Sequence, residues 1–155
     1  MSVESRLTEL GIELPQAPAP LAAYVPAVVE GNLIFVSGQL PTIDGQLPAT
    51  GKVGESAGLV SPADAQSYAR ISALNGLAVI KSAIGNLDRV TRIVKVTGFV
   101  ACVPEFTSQG AVTNGASELL VEVFGEAGRH ARSSIGVPVL PLDSPVEIEL
   151  IVAFE

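Results

Sequence analysis

Apolar and polar positions alternate with period two along "VEIELIVAF" (146–154). Val146, Ile148, Leu150, Val152 and Phe154 fall on one side, and Glu147, Glu149, Ile151 and Ala153 on the other. This predicts a strand with one side in the core. "ARSSIGVPV" (131–139) reads the same way, with Ile135, Val137 and Val139 toward the core and Arg132, Ser134, Gly136 and Pro138 on the second side. The turn-rich "LPLDSP" between them predicts a hairpin around Leu142 and Asp143. In that register Arg132 and Glu147 lie roughly 20 Å apart, at ~3.3 Å per residue. They would then share a site only across a boundary between chains.

The rest of the chain shows both periods. "SVESRLTELGI" predicts a short helix, capped by Ser2 and stopped at Gly11. The Pro/Ala-rich "LPQAPAPLAAYVP" cannot continue it and makes an arm, so that 1–23 is helix plus arm. "VVEGNLIFVSGQLP" predicts a β-hairpin turning at Gly31-Asn32. Residues 41–59, rich in Gly, Pro, Asp and Thr, predict a long loop. Ser61-Pro62 opens a long helix on which Ala69, Ala73, Leu77, Ile80 and Ile84 recur at helical spacing, and Gly85-Asn86 ends it. "RVTRIVKVTGFVACV" is a β-branched strand. A second long helix is predicted over 104–128, with Val112, Ala116, Leu119, Leu120 and Val123 on one side. Gly110 and Gly115 weaken its first half, and Asn114-Gly115 predicts a kink. The fold class is therefore α+β: a single domain over 1–155, with one sheet and two long helices over one of its faces.

Composition narrows the function. A 155-residue chain buries roughly 68–70% of its unfolded surface and folds without staples. Apolar residues make up 48% and charged ones only 16%, a surplus that points to a subunit interface. The net charge of −7 argues against nucleic-acid binding. A single cysteine, Cys102, allows no internal disulfide and fits the cytoplasm; it reads as a buried small hydrophobe. The N-terminus predicts no signal peptide, and no run approaches membrane-spanning length. His130 is the only histidine and has no cysteine beside it, which leaves metal binding and a Ser-His-Asp triad unsupported.

"VSGQLP" (36–41), "TNGASELL" (113–120) and "HARSSIGVPVLPLDSPVEIE" (130–149) resemble the RidA/YjgF family of enamine/imine deaminases, many of which carry the label endoribonuclease L-PSP. The resemblance spans roughly Tyr24 to the C-terminus, and the N-terminal helix with the 41–60 loop resembles its longer branch. It implies a chorismate-mutase-like fold, a homotrimer with ligand clefts between subunits, and hydrolysis of 2-imino acids such as 2-aminoacrylate to 2-keto acids and ammonia, without a cofactor. Carried over, the carboxylate-binding arginine is Arg132, a role suited to a planar, permanently charged guanidinium. The acid that positions water is Glu147. Tyr24, Ser37, Gly38, Asn114 and Ser134 match the remaining substrate-binding positions. Ser134 stands where many family deaminases have cysteine.

Each of these residues also has a plainer use. Glu147 and Glu149 could solvate a sheet edge, Ser37 could serve a turn, and Tyr24 could pack on the proline arm. The competing function is a non-catalytic module that binds small carboxylates in the same cleft. Ribonuclease chemistry fits poorly with an acidic chain holding one histidine.

Overall fold

Two serines open two of the helices. Ser2 Oγ accepts the Ser5 amide at the head of α1 (Val3–Glu9), and Ser61 Oγ accepts the Asp64 amide at the head of α2 (Pro62–Ile84). Each satisfies an amide that the first turn leaves without an intrahelical partner. The third helix, α3 (Gln109–Phe124), begins later than its sequence suggests. Pro104–Ser108 form a loop closed by the Phe106 amide donating to the Val103 carbonyl. The structure, a computed structural model, describes residues 2–20 and 22–155, so the N-terminal arm includes Leu21 outside the described residues, as is Met1.

Among the described residues five strands form one sheet: β1 (Ala27–Glu30), β2 (Leu33–Gln39), β3 (Val90–Ala101), β4 (Ala131–Val137) and β5 (Val146–Phe154). Their order is β1-β2-β5-β3-β4, antiparallel throughout except for the parallel β3–β4 pair. The core lies between the sheet and the long helices. Leu77 and Ile80 of α2 and Leu119 and Leu120 of α3 are fully buried, with Ile34, Ile93, Ile148 and Leu150 of the sheet. The architecture is thus α+β, with a mixed sheet and both long helices on one face.

The C-terminal strands do not form the predicted hairpin. β4 runs parallel to β3 on one side, and β5 pairs with β3 on the other. A parallel return needs a crossover, which α3 supplies. The segment after β4 then carries the chain past the end of β3, with Leu142 and Asp143 both at φ 58. Glu147 and Glu149 accordingly lie on a central strand rather than at an edge.

This topology also reverses the two sides of β4. Arg132 pairs with Val96 and Ser134 with Gly98, on the helix side of the sheet. Ile135 pairs with Phe99 on the opposite side and is 46% exposed; Val139, beyond the strand, is 62% exposed. An edge strand only partly covered by a helix can keep polar residues on its inner side, so alternation alone mislabels it.

The weak helix formers of α3 have a packing reason. A Cβ on Gly115 would overlap the Gln66 carbonyl of α2, so glycine lets the two helices approach there. The helix runs unbroken through Asn114-Gly115, without the predicted kink. The 41–60 loop is pinned rather than free. Val53 is fully buried, donates its amide to the Ala101 carbonyl (2.7 Å) and accepts from the Val103 amide (3.1 Å). Among the described residues no helix is long and apolar enough to cross a membrane.

Candidate functional site

Arg132 projects from β4 onto α3. Residues 110, 114 and 117 follow the i, i+4, i+7 spacing that puts side chains on one helical stripe. Arg132 Nη1 donates to Asn114 Oδ1 at 2.8 Å and to Ser117 Oγ at 3.2 Å. Gly110 presents no side chain, and a Cβ there would stand 3.2 Å from Arg132 Nη2. Two positions along β4, Ser134 Oγ shares a hydrogen bond with Thr113 Oγ1 of the same helix. Arg132 is exposed, and among the described residues it pairs with no carboxylate. Its Nη1 is occupied by neutral acceptors, which leaves Nη2 and Nε for an anion. A guanidinium so held can grip a carboxylate with two parallel bonds.

Glu147 stands elsewhere. It pairs with Phe99 on β3, on the sheet face away from the helices, and its carboxyl lies against Gly38. A Cβ at Gly38 would overlap Glu147 Oε1, so glycine is what lets the carboxyl lie over β2. Burial raises the Glu147 pKa above the ordinary carboxylate value, and the charge of Glu149 raises it further. Ser37 lies in the same strand as Gly38; its hydroxyl donates to the Val25 carbonyl at 2.7 Å. The adjacent Tyr24 is 57% exposed.

The seven residues singled out from the sequence thus fall into two groups. Arg132, Asn114 and Ser134 gather on the helix side of β4. Glu147, Gly38 and Ser37 gather on the open side of the central strands, with Tyr24 beyond them. Arg132 and Glu147 are two strands and three residues apart, about 14 Å between Cα atoms at ~4.8 Å per strand and ~3.3 Å per residue. Their side chains leave opposite faces of the sheet. The two do not meet within one chain, although for a reason the hairpin register did not contain.

The open face between them is apolar for a surface. Val28, Phe35 and Ile135 are each more than 40% exposed there. A shallow depression of about 310 Å³ lies on it, lined by Val28, Phe35, Lys95, Thr97, Glu149 and Ile151. Cys102 is only partly buried, unlike its sequence reading, and lines a separate cavity of about 360 Å³ with Lys52, Phe106 and Gln109.

Ser117, Thr113 and His130 were not singled out as site residues. The 110–114–117 stripe was readable from helical spacing alone, had Arg132 been known to lie under it. His130 reaches Ser117, with Nε2 2.9 Å from Oγ, and its Nδ1 lies 2.6 Å from the Gly128 carbonyl. Among the described residues no cluster of histidine, cysteine and acids is arranged to hold a metal.

Comparison with known proteins agrees with this architecture. Residues 4–154 match the family model described as "YjgF/chorismate mutase-like, putative endoribonuclease". Protein TCP17 of Trypanosoma cruzi is 44% identical over 151 residues, covering 97% of this chain and 92% of that protein. The 2-iminobutanoate/2-iminopropanoate deaminase of Escherichia coli K12 is 36% identical over 140 residues, covering 90% and 94% of the two chains. A crystal structure of Atu1372 from Agrobacterium tumefaciens superposes with a TM-score of 0.89 at 46% identity, covering 99% of this chain and 92% of that one.

Proposed function

This chain belongs to the YjgF/RidA family, and from that premise we propose that it hydrolyses small 2-imino acids and their enamine tautomers to 2-keto acids and ammonia. The reaction takes place in clefts between the subunits of a homotrimer, and it needs no cofactor, because hydrolysis of an imine is redox-neutral. One observation carries the reading: a guanidinium that pairs with no carboxylate among the described residues and a carboxyl of raised pKa, on opposite faces of one sheet. Each is half of a site that a second copy of the chain completes.

Arg132 of one subunit holds the substrate carboxylate through Nη2 and Nε, which places the imine carbon at the cleft. Glu147 of the neighbouring subunit accepts a proton from water as the water oxygen bonds to that carbon. The substrate reacts as its protonated imine, so the C=N π electrons go to a nitrogen that already carries two hydrogens and give a neutral carbinolamine. Glu147 then returns its proton to the amine, the C–N bond breaks and ammonia leaves, and the hydroxyl gives its proton to the freed Glu147 carboxylate as the ketone forms. A carboxyl of raised pKa suits both halves of this exchange. Asn114 and Ser134 border the arginine, while Ser37, Gly38 and Tyr24 border the glutamate. The exposed Val28, Phe35 and Ile135 support a face that is covered in the assembly. A chain with one cysteine, which can form no internal disulfide, fits the reducing cytoplasm.

The test generates 2-imino acids in situ with an amino-acid oxidase and follows their disappearance with and without the protein. The parent should accelerate hydrolysis. Arg132→Ala should lose at least about 100-fold, the value of two charge-assisted hydrogen bonds. No acceleration by the parent, together with a thermal shift on adding pyruvate, would instead favour a carboxylate-binding module.

A further inference from the structure

His130 is the only histidine in the chain, and its two nitrogens have different partners. Nδ1 lies 2.6 Å from the Gly128 carbonyl, which only accepts, so Nδ1 carries a proton. In the neutral ring Nε2 is then an acceptor. Ser117 Oγ, 2.9 Å away, donates to it. The Ser117 lone pairs are left for Arg132 Nη1 at 3.2 Å, which also donates to Asn114 Oδ1 at 2.8 Å. Every hydrogen bond therefore points one way, from Arg132 through Ser117 and His130 to the Gly128 carbonyl.

The direction has a consequence for Ser117. A serine inside a helix can turn its hydroxyl proton to the carbonyl four residues back. An acceptor at His130 Nε2 draws the proton outward instead and fixes the oxygen where Arg132 needs it. A doubly protonated ring would put a second cation on the same hydroxyl. Consistent with this, burial lowers the His130 pKa; the Gly128 bond opposes that shift, and the charge of Arg132 adds to it.

We infer that neutral His130 is a positioning residue for Arg132: acting through Ser117, it fixes the guanidinium so that Nη2 and Nε face the substrate carboxylate. His130 itself does not touch substrate. The inference rests on the carboxylate-binding role given to Arg132 above, and its test separates the two.

The single imidazole gives one unambiguous set of NMR signals in the full-length protein. Its pKa should rise in Arg132→Ala, because a neighbouring positive charge is gone. It should also rise in the parent when pyruvate is added, and pyruvate should cause no such rise in Arg132→Ala. By calorimetry His130→Ala should weaken pyruvate binding by about tenfold, the scale of one ordinary hydrogen bond. His130→Gln, whose amide oxygen can replace Nε2, should recover most of that loss. The double variant with Ser117→Ala should be no worse than Ser117→Ala alone, since His130 acts only through that hydroxyl. In turnover the same variants should raise KM with kcat near the parent's. A His130 titration indifferent to Arg132→Ala, an unchanged affinity in His130→Ala, or a parent that binds no pyruvate would each overturn the inference. A parent that binds pyruvate with the expected His130 response but hydrolyses no imine would overturn the proposed reaction alone.

Discussion

Glu147 lies against a glycine, half out of water and beside a second glutamate, so its ionised form is disfavoured. In its proposed role as the base that takes a proton from water it must be ionised, so kcat should fall as pH drops through a pKa above the ordinary carboxylate range. Glu149→Gln removes a neighbouring negative charge, stabilises the ionised form and should move that acid limb to lower pH. A pH profile of kcat for the two proteins decides the point; identical limbs would separate Glu147 from the chemistry. The same shift has a sign for stability. A carboxyl whose folded pKa is raised favours the fold below its unfolded pKa, and that advantage is lost as pH rises through the folded pKa. Glu147→Gln should therefore melt at or above the parent at neutral pH while losing activity, with the gap closing on acidification. At this scale the motifs pointed to Arg132 and Glu147, and the structure puts them on opposite faces of the sheet. The sequence was silent where partners come from remote elements, as with His130, Ser117 and Gly128.

α3 shows what patterning reveals of an element and what it misses. Its apolar stripe of Val112, Ala116, Leu119, Leu120 and Val123 is buried as the spacing implied. Its glycines looked like weakness, yet Gly115 is where the Gln66 carbonyl of α2 comes closest. Gly115→Ala should cost about 1–3 kcal/mol despite the better helix propensity of alanine. In a chain of this size that is a fall in Tm of about 2–4 °C per kcal/mol, measurable by calorimetry. A rise in Tm would mean the helices part without penalty. β4 failed for a different reason. Local alternation cannot tell which neighbour a strand will choose, and pairing with β3 in parallel inverted every side chain relative to a hairpin with β5. The caps at Ser2 and Ser61 and the stop at Gly85 were legible because capping is chemistry between near neighbours.

At the scale of the whole molecule, one sheet face carries the helices and the other is left apolar. Surplus hydrophobicity announced that imbalance in the composition, but not which face would bear it. Phe35→Glu changes a residue already 43% exposed in the single chain, so the fold should survive it. In the proposed trimer it would bury an unpaired charge, and light scattering should then show the mass falling from three chains to one. A variant that stays trimeric would move the interface elsewhere.

The claim that one site needs two chains is tested most directly by mixing inactive proteins. Arg132→Ala and Glu147→Gln trimers should each fail to hydrolyse imines. Unfolded together in equal amounts and refolded, they should assemble some clefts with an intact arginine from one variant and an intact glutamate from the other. Random assortment predicts recovery of about a quarter of the parent's specific activity. If mixed trimers form, as mass spectrometry of differently tagged chains would show, and no activity returns, then Arg132 and Glu147 do not work across a subunit boundary and the account fails.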